Sequence, residues 1–184
     1  SFYINQTFKV WFIFISLNKL TMAEEKKAYF AGGCFWCVEE AFEKTPGVIK
    51  AISGYTGGDL KNPTYEQVTF NETGHYEAVE VVYDQKVISY NQLLSVFWKN
   101  IDPYDAKGQF CDKGSSYLTA VFYQNEDEKI AFEESKKNLG KSDISNFVTH
   151  IKKLDIFYPA EDYHQDYYKN NPIRYKLYKT GCGR

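Results

Sequence analysis

The stretch KAYFAGGCFWCVEEAFEK, residues 27–44, decides how this chain folds. Residues 27–31 predict a short β-strand that ends at two glycines, Gly32 and Gly33. Residues 34–44 predict a helix, because the apolar side chains recur at three- and four-residue spacing. Thr45-Pro46-Gly47 then ends that helix. A strand that passes directly into a helix places Cys34 at the amino end of the helix.

Elements of both types follow this unit towards the carboxyl end of the chain. The predicted strands are residues 48–55, 76–84, 117–123 and 147–153, and the predicted helices lie at about 90–98 and 126–139. Turn-rich segments cover 56–63 and 102–116, and the tyrosine-rich carboxyl end is predicted to be an irregular tail. The central order strand-helix-strand-strand-helix-strand indicates an α+β fold, a ferredoxin-like split βαβ plait with helices packed on a mixed sheet.

One domain is expected over residues 22–184. The whole chain has 184 residues, which is enough for one compact core. Residues 1–21 are predicted to be upstream or artificial sequence, with Met22 as the natural start. Their apolar run, VWFIFISL at 10–17, is too short to span a bilayer and has no small-residue cleavage site after it.

Composition excludes several classes of partner. The net charge is −2, so no basic field favours nucleic acid or an anionic membrane. We therefore predict neither nucleic-acid nor membrane binding. The aromatic share of 18% is high and indicates aromatic-lined surfaces or pockets in addition to a core.

Four cysteines, Cys34, Cys37, Cys111 and Cys182, allow three interpretations. A structural disulfide framework is typical of smaller, secreted chains. A zinc site normally needs two closely spaced pairs or suitably spaced histidines, and only one pair here is close. Redox chemistry in a reducing compartment is the leading interpretation.

Cys34 is the candidate nucleophile. At a helix amino end, free N–H groups and the helix dipole favour a thiolate, and the preceding glycines allow a tight turn and close approach by a substrate. The alternative is that Cys34 is a small buried hydrophobe and that Phe35 and Trp36 are core residues. The position beside two glycines favours reactivity.

Glu77 is the candidate acid. Side chains alternate along a strand, so Glu77 shares a face with Val79 and Val81. It is either a partly desolvated acid with a raised pKa, able to donate a proton at neutral pH, or an ordinary glutamate at the water boundary. The pattern leaves both interpretations open.

Six motifs in order resemble the A-type peptide methionine sulfoxide reductases. They cover nearly everything after Met22, from about residue 28 to 184. The motifs are Gly33-Cys34-Phe35-Trp36, Gly54-Tyr55-Thr56-Gly57-Gly58, Asn62-Pro63-Thr64-Tyr65, Thr73-Gly74-His75-Tyr76-Glu77, Asp112-Lys113-Gly114-Ser115-Ser116-Tyr117 and Tyr158-Pro159-Ala160-Glu161-Asp162-Tyr163-His164-Gln165.

The resemblance implies a role for each matching residue. Cys34 matches the nucleophile and Glu77 the acid that faces the sulfoxide oxygen. The other matches are Phe35 and Trp36 for the substrate methyl group, Tyr65 and Tyr117 for the oxygen, and Asp112 for a carboxylate that orders the site. It further implies reduction of the S epimer of methionine sulfoxide, free or in proteins, for repair after oxidative damage, with thioredoxin as reductant. No metal and no cofactor are expected, and we expect a cytoplasmic monomer.

The chain departs from many members of this family at residues that bear on regeneration of the enzyme. Those members have Gly in place of Cys37 and Asn in place of Cys111. Ser116 and Leu118 also replace a Gln and an Arg of those members. Cys37 and Cys182 are both candidates for the thiol that resolves a sulfenic acid at Cys34. Cys182 lies between two glycines, which suits a mobile resolving thiol. Cys111 is equally compatible with an unreactive thiol and with a role.

Two other functions would each predict different properties of the protein. A thioredoxin-like disulfide oxidoreductase would rest on Cys34-x-x-Cys37 alone and needs a cis-proline facing the pair, for which none of the five prolines is placed. A zinc module, which is not an enzyme, would bind one equivalent of zinc and unfold with a chelator.

Overall fold

The computed structural model of the chain describes residues 22–70, 72–139 and 144–184. The predicted extension, residues 1–21, lies outside this range, so its origin stays a prediction. No helix within these three ranges is long and apolar enough to cross a membrane.

The centre of the fold is a six-stranded sheet in the order β7-β6-β1-β3-β2-β8. All neighbouring strands are antiparallel except β6 and β7, which run parallel. The strands, together with the short separate hairpin β4–β5, are β1 (Glu25–Gly32), β2 (Val48–Thr56), β3 (Tyr76–Asp84), β4 (Gly108–Gln109), β5 (Asp112–Lys113), β6 (Thr119–Tyr123), β7 (His150–Lys153) and β8 (Tyr158–Pro159). The predicted α+β class with a mixed sheet is confirmed.

Six helices accompany the sheet in the described part of the chain. They are α1 (Phe35–Glu43), α2 (Tyr65–Phe70), α3 (Tyr90–Lys99), α4 (Glu126–Lys137), α5 (Tyr167–Asn170) and α6 (Pro172–Gly181). The predicted helices at 34–44, 90–98 and 126–139 correspond to α1, α3 and α4. α3 begins with a capping box, in which Ser89 accepts from the N–H of Gln92 and the Gln92 side chain accepts from the N–H of Ser89.

The main core lies between one face of the sheet and helices α1, α3 and α4. Strand residues Phe30, Val79 and Val81 pack there against helix residues such as Phe35 and Phe97. The opposite face is covered by chain without helix, and its buried side chains are Tyr29, Ala31, Tyr76, Ala78, Ala120 and Phe122. The alternation predicted for β3 is therefore correct, and it directs Glu77 towards the helices.

The turn from β1 into α1 depends on Gly33. Its φ is +80°, and a Cβ at this position would lie 2.5 Å from the Cβ of Gln109. The side chain of Gln109 is fully buried and bonds to both the N–H and the C=O of Asp102. In the structure, the segment that approaches this glycine closely is the 102–109 loop.

The predicted irregular tail is wrong. Residues after 164 form α5 and α6, and Pro172 occupies the first turn of α6, where its missing N–H costs no helical hydrogen bond. Tyr175 and Tyr178 then lie on the same face, three residues apart, and pack onto Cys34 and Cys37. Tertiary packing on the cysteines explains why a polar, tyrosine-rich segment is helical.

Candidate active site

The seven residues predicted as catalytic or substrate-binding line one small cavity of about 110 Å³. Tyr178 of α6, which was not predicted, completes the lining. The predicted members are Cys34, Phe35, Trp36, Tyr65, Glu77, Asp112 and Tyr117. Residues from five separate parts of the sequence therefore converge on the sulfur of Cys34.

Larger clefts lie elsewhere on the surface. One of about 540 Å³ runs between β1 and α4, and another of about 510 Å³ lies between α3 and α4. Their linings are largely polar or charged side chains and contain no cysteine. The predicted residues therefore converge on a cavity that is smaller than either of these clefts.

Cys34 precedes the first residue of α1 and is 5% exposed. Burial raises the pKa of its thiol well above the usual range, and the neighbouring Cys37 and Glu77 raise it further. A hydrogen bond with the hydroxyl of Tyr178 acts in the opposite direction. The candidate nucleophile is thus a protonated thiol, and its ionisation depends on the groups around it.

Cys37 lies one turn further along α1 and forms a hydrogen bond with Cys34. That bond lowers the pKa of Cys37 to about 7, and the charges of Arg184 and Lys179 and the hydroxyl of Tyr175 act in the same direction. The two sulfurs are therefore in contact, both as free thiols.

Glu77 is buried directly beneath the amino end of α1. Its side chain is 2% exposed, and its Oε2 accepts the backbone N–H of Phe35 at 3.0 Å. Burial raises its pKa to about 8, although the Phe35 N–H and the Tyr117 hydroxyl hold it lower than burial alone would. The interpretation of Glu77 as a desolvated acid is supported, because the residue does not lie at the water boundary.

Tyr65 and Tyr117 lie beside this carboxyl group. Their hydroxyls are hydrogen-bonded to each other, and the hydroxyl of Tyr117 bonds to Glu77. Burial raises the pKa of both phenols above the usual value, so both keep their protons. Three neutral O–H groups therefore surround one point close to Cys34.

An aromatic wall forms the other side of the cavity. Trp36 stacks on Tyr167 with 3.8 Å between ring centroids, and its indole N–H donates to Nδ1 of His164 at 3.2 Å. The ring of His164 in turn packs against those of Phe35 and Tyr65, with 5.0 and 4.4 Å between the ring centroids. These contacts fix the two predicted substrate-binding aromatics in place.

The motif at 158–165 acts on the site through Glu161. One oxygen of Glu161 accepts the N–H of Tyr65 and the other accepts the hydroxyl of Tyr55, each at 2.8 Å. The carboxylate thus holds the first residue of α2 against the sheet. Sequence analysis missed α2 because it is only six residues long and follows a turn-rich segment.

Cys182, one of the two predicted candidates for the resolving thiol, is not a free thiol in this structure. Cys182 lies at the carboxyl end of α6 and forms a disulfide with Cys111, with 5.0 Å between the Cα atoms. The expectation that Cys182 lies in a mobile tail is therefore wrong, because the flanking glycines end a helix. Asp112, next to Cys111, accepts a hydrogen bond from the Tyr178 hydroxyl.

Tyr178 and Tyr175 are the site residues that sequence analysis missed. The available signal was their three-residue spacing behind Pro172, which is a helix-initiating residue. The tyrosine-rich composition of the tail hid it.

One group of carboxylates has metal-like spacing: Glu39, Glu43 and Asp166. Protein groups already satisfy them. Glu39 accepts the Ser53 hydroxyl and the N–H of Asp166, and Lys169 pairs with both Glu43 and Asp166. This group lies apart from the cavity, and its contacts connect α1 to β2 and to α5.

The buried carboxyl of Glu77 predicts a pH-dependent stability. A glutamate in the unfolded chain has a pKa of about 4.3, whereas that of Glu77 in the fold is about 8. Between these values the unfolded chain loses a proton that the fold retains, so the buried carboxyl destabilises the fold by about 1.4 kcal/mol more for each pH unit. Glu77→Gln removes the titration, so from pH 5 to 7.5 the variant should gain about 3 kcal/mol relative to the parent.

Urea unfolding at the two pH values measures this difference. The same substitution at exposed Glu66 is the matched control. A stability difference between parent and Glu77→Gln that does not change with pH would mean that Glu77 is ionised in the fold.

Comparison with known proteins agrees with this geometry. The family model described as "Peptide methionine sulfoxide reductase" matches residues 26–184. Among curated proteins, "Peptide methionine sulfoxide reductase MsrA" of Bacillus licheniformis is 52% identical over 166 residues, covering 89% of this chain and 92% of its own length. The Bacillus subtilis protein of the same name is 51% identical over 166 residues, covering 89% of this chain and 94% of its own length.

Solved structures give the same result. Methionine sulfoxide reductase A of Corynebacterium diphtheriae superposes with a TM-score of 0.73 at 30% identity, covering 81% of this chain and 76% of that one. Mxr1 of Saccharomyces cerevisiae in reduced form superposes with a TM-score of 0.75 at 28% identity, covering 81% of this chain and 87% of that one. Mxr1 has also been solved in complex with Trx2, and that structure shares the fold with a TM-score of 0.54 at 22% identity, covering 78% and 84%. The chain belongs to the MsrA-type peptide methionine sulfoxide reductases, and it is an oxidoreductase.

Proposed function

We propose that the enzyme reduces the S epimer of methionine sulfoxide, free or in proteins, through a sulfenic acid at Cys34 and an intramolecular disulfide. One observation carries the proposal: a nucleophilic sulfur and a protonated, buried carboxyl line the same 110 Å³ cavity. A sulfoxide sulfur accepts a nucleophile only when its oxygen is protonated or strongly hydrogen-bonded, so the two groups have to act together.

The reaction begins with attack of the Cys34 sulfur on the sulfoxide sulfur. Glu77 gives its proton to the sulfoxide oxygen, and Tyr65 and Tyr117 donate hydrogen bonds to it. The oxygen passes to Cys34 as a hydroxyl group and methionine leaves. The cysteine is thereby oxidised by two electrons to a sulfenic acid while the sulfoxide is reduced to a thioether.

Stereochemical selection follows from three fixed positions around the sulfoxide sulfur. The methyl group packs on Phe35 and Trp36, the oxygen meets Glu77, and Cys34 approaches from a third direction. Exchanging the methyl group and the oxygen would place a polar oxygen on the aromatic wall without a hydrogen-bond partner, which costs about 1–3 kcal/mol. This asymmetry supports preference for one epimer, and the family resemblance identifies it as S.

Cys37 is the better-placed resolving thiol. Its sulfur contacts that of Cys34, and its pKa of about 7 makes a thiolate available at neutral pH. Condensation of the sulfenic acid with the Cys37 thiol forms the Cys34–Cys37 disulfide and releases water. Cys182 is engaged with Cys111 and reaches Cys34 only after that bond opens.

Thioredoxin is the proposed reductant of this disulfide. The related yeast protein Mxr1 has been solved with Trx2, which supports such a partner here. No metal or cofactor enters the scheme, because the thiols carry the electrons. We further propose a monomeric, cytoplasmic repair enzyme that acts on oxidised proteins.

The direct test is single-turnover release of methionine from each epimer. The parent should release one equivalent from the S epimer without reductant, and the R epimer should react far more slowly. Cys34→Ser should release none, since a serine hydroxyl is too weak an acid to form an anion that could replace the thiolate. Release by Cys34→Ser, or equal rates for the two epimers in the parent, would overturn the proposal.

A second experiment separates the two candidate resolving thiols. Cys37→Ser should still release one equivalent of methionine but lose thioredoxin-driven cycling. Cys182→Ser should retain thioredoxin-driven cycling, and peptide mapping of the oxidised parent should find Cys34 joined to Cys37. If Cys182→Ser loses cycling and Cys37→Ser retains it, the resolving role belongs to Cys182.

A further inference from the structure

Helix α6 places one tyrosine hydroxyl on each sulfur of the cysteine pair. Tyr178 is hydrogen-bonded to Cys34, and Tyr175 is hydrogen-bonded to Cys37. Each hydroxyl also donates to a carboxylate, Tyr178 to that of Asp112 and Tyr175 to that of Glu40. Each sulfur is therefore connected through a phenol to a carboxylate.

The two carboxylates differ in what holds their charge. Glu40 pairs with Lys44 and Lys179 at 2.6 Å each, and these contacts keep its pKa at about 2 in spite of burial. Asp112 forms no ion pair with any residue that the structure describes, and it is partly exposed. Of the two carboxylates, Asp112 therefore joins a tyrosine hydroxyl to solvent, whereas Glu40 is held between two lysines.

We propose that Tyr178 is a catalytic residue that relays the proton of Cys34 to Asp112. The inference rests on the proposed function and adds a route for activation of its nucleophile. The thiol proton moves to the oxygen of Tyr178 as the hydroxyl proton of Tyr178 moves to the carboxylate of Asp112. Afterwards Tyr178 is again neutral and donates a hydrogen bond to the new thiolate, and Asp112 releases its proton to water.

Burial of Cys34 makes such a route necessary. Cys34 is 5% exposed and lines the small cavity that the substrate enters, so a bound substrate displaces the water that could otherwise take the proton. Glu77 already holds a proton at neutral pH and has no capacity for a second one. Cys37 is the remaining neighbour, but a proton placed there has to leave again before Cys37 attacks the sulfenic acid. The relay through Tyr178 leaves Cys37 free for that step.

The Cys111–Cys182 disulfide holds both ends of the relay together. Cys111 directly precedes Asp112, and Cys182 lies four residues, about one helical turn, after Tyr178. The bridge therefore ties the carboxylate and the phenol to each other. Asp112 acts through Tyr178 and is a positioning residue in this scheme.

The test is the pH dependence of Cys34 alkylation, read by peptide mass spectrometry without reductant so that the disulfide stays intact. Apart from the residue that is substituted, each variant keeps the same titratable and charged groups around the two sulfurs. These groups are Glu40, Tyr65, Glu77, Asp112, Tyr117, Tyr175, Tyr178, Lys179 and Arg184. Single-turnover methionine release from the S epimer is measured on the same samples.

Tyr178→Phe keeps the ring and removes the hydroxyl. We expect it to raise the apparent pKa of Cys34 by about one unit, a tenfold loss of ionisation, and to slow methionine release at pH 7 by about tenfold. Asp112→Asn should likewise slow methionine release at pH 7, and the double variant should lose no more of that rate than the stronger single variant, because both residues belong to one relay. Tyr168→Phe is the matched control, since that hydroxyl donates to Glu43 and contacts neither sulfur.

An alkylation profile in Tyr178→Phe that matches the parent overturns the relay and assigns the proton to Cys37. Additive losses in the double variant overturn it as well. If Tyr178→Phe fails to fold, the rate of methionine release by Asp112→Asn at pH 7 decides, and a rate equal to that of the parent contradicts the relay. Absence of methionine release in the parent would instead reject the proposed function, whatever the alkylation profiles show.

Discussion

The hydrogen bond from the Phe35 N–H to the Glu77 carboxyl joins the two halves of the site. The first residue of α1 has an N–H that no helical carbonyl reaches, and no side chain of Cys34 caps it. Glu77 satisfies this N–H from the central strand β3, and in doing so it is buried under the helix. One contact therefore orients the helix that carries Cys34 and buries the carboxyl group on which the proposed chemistry depends.

Much of this arrangement could be predicted because it is encoded locally. Alternation along β3 placed Glu77 on the helix side with Val79, and the Gly33-Cys34 turn placed the cysteine at a helix start. The seven lining residues were identified by resemblance and converge in the structure. The local patterns alone left open whether Glu77 was buried, because burial depends on α1 and α2 packing over it.

What escaped prediction depends on long-range contacts. α6 has polar residues on most of its surface and becomes helical against Cys34 and Cys37, far away in the sequence. Cys182 was expected to be a mobile thiol because glycines flank it, but its pairing with Cys111 spans 71 residues. A repeating pattern of apolar residues does not predict a contact between distant parts of the chain. The position of the α6 tyrosines beside the cysteines could therefore be identified only from the structure.

The central claim is that Glu77 is neutral when substrate binds at neutral pH. Infrared difference spectroscopy between the parent and Glu77→Gln reports it directly, because a protonated carboxyl and a carboxylate absorb at different frequencies. The account predicts the band of a protonated carboxyl at pH 6.5 that titrates with a midpoint near pH 8. A carboxylate band at pH 6.5 would contradict it.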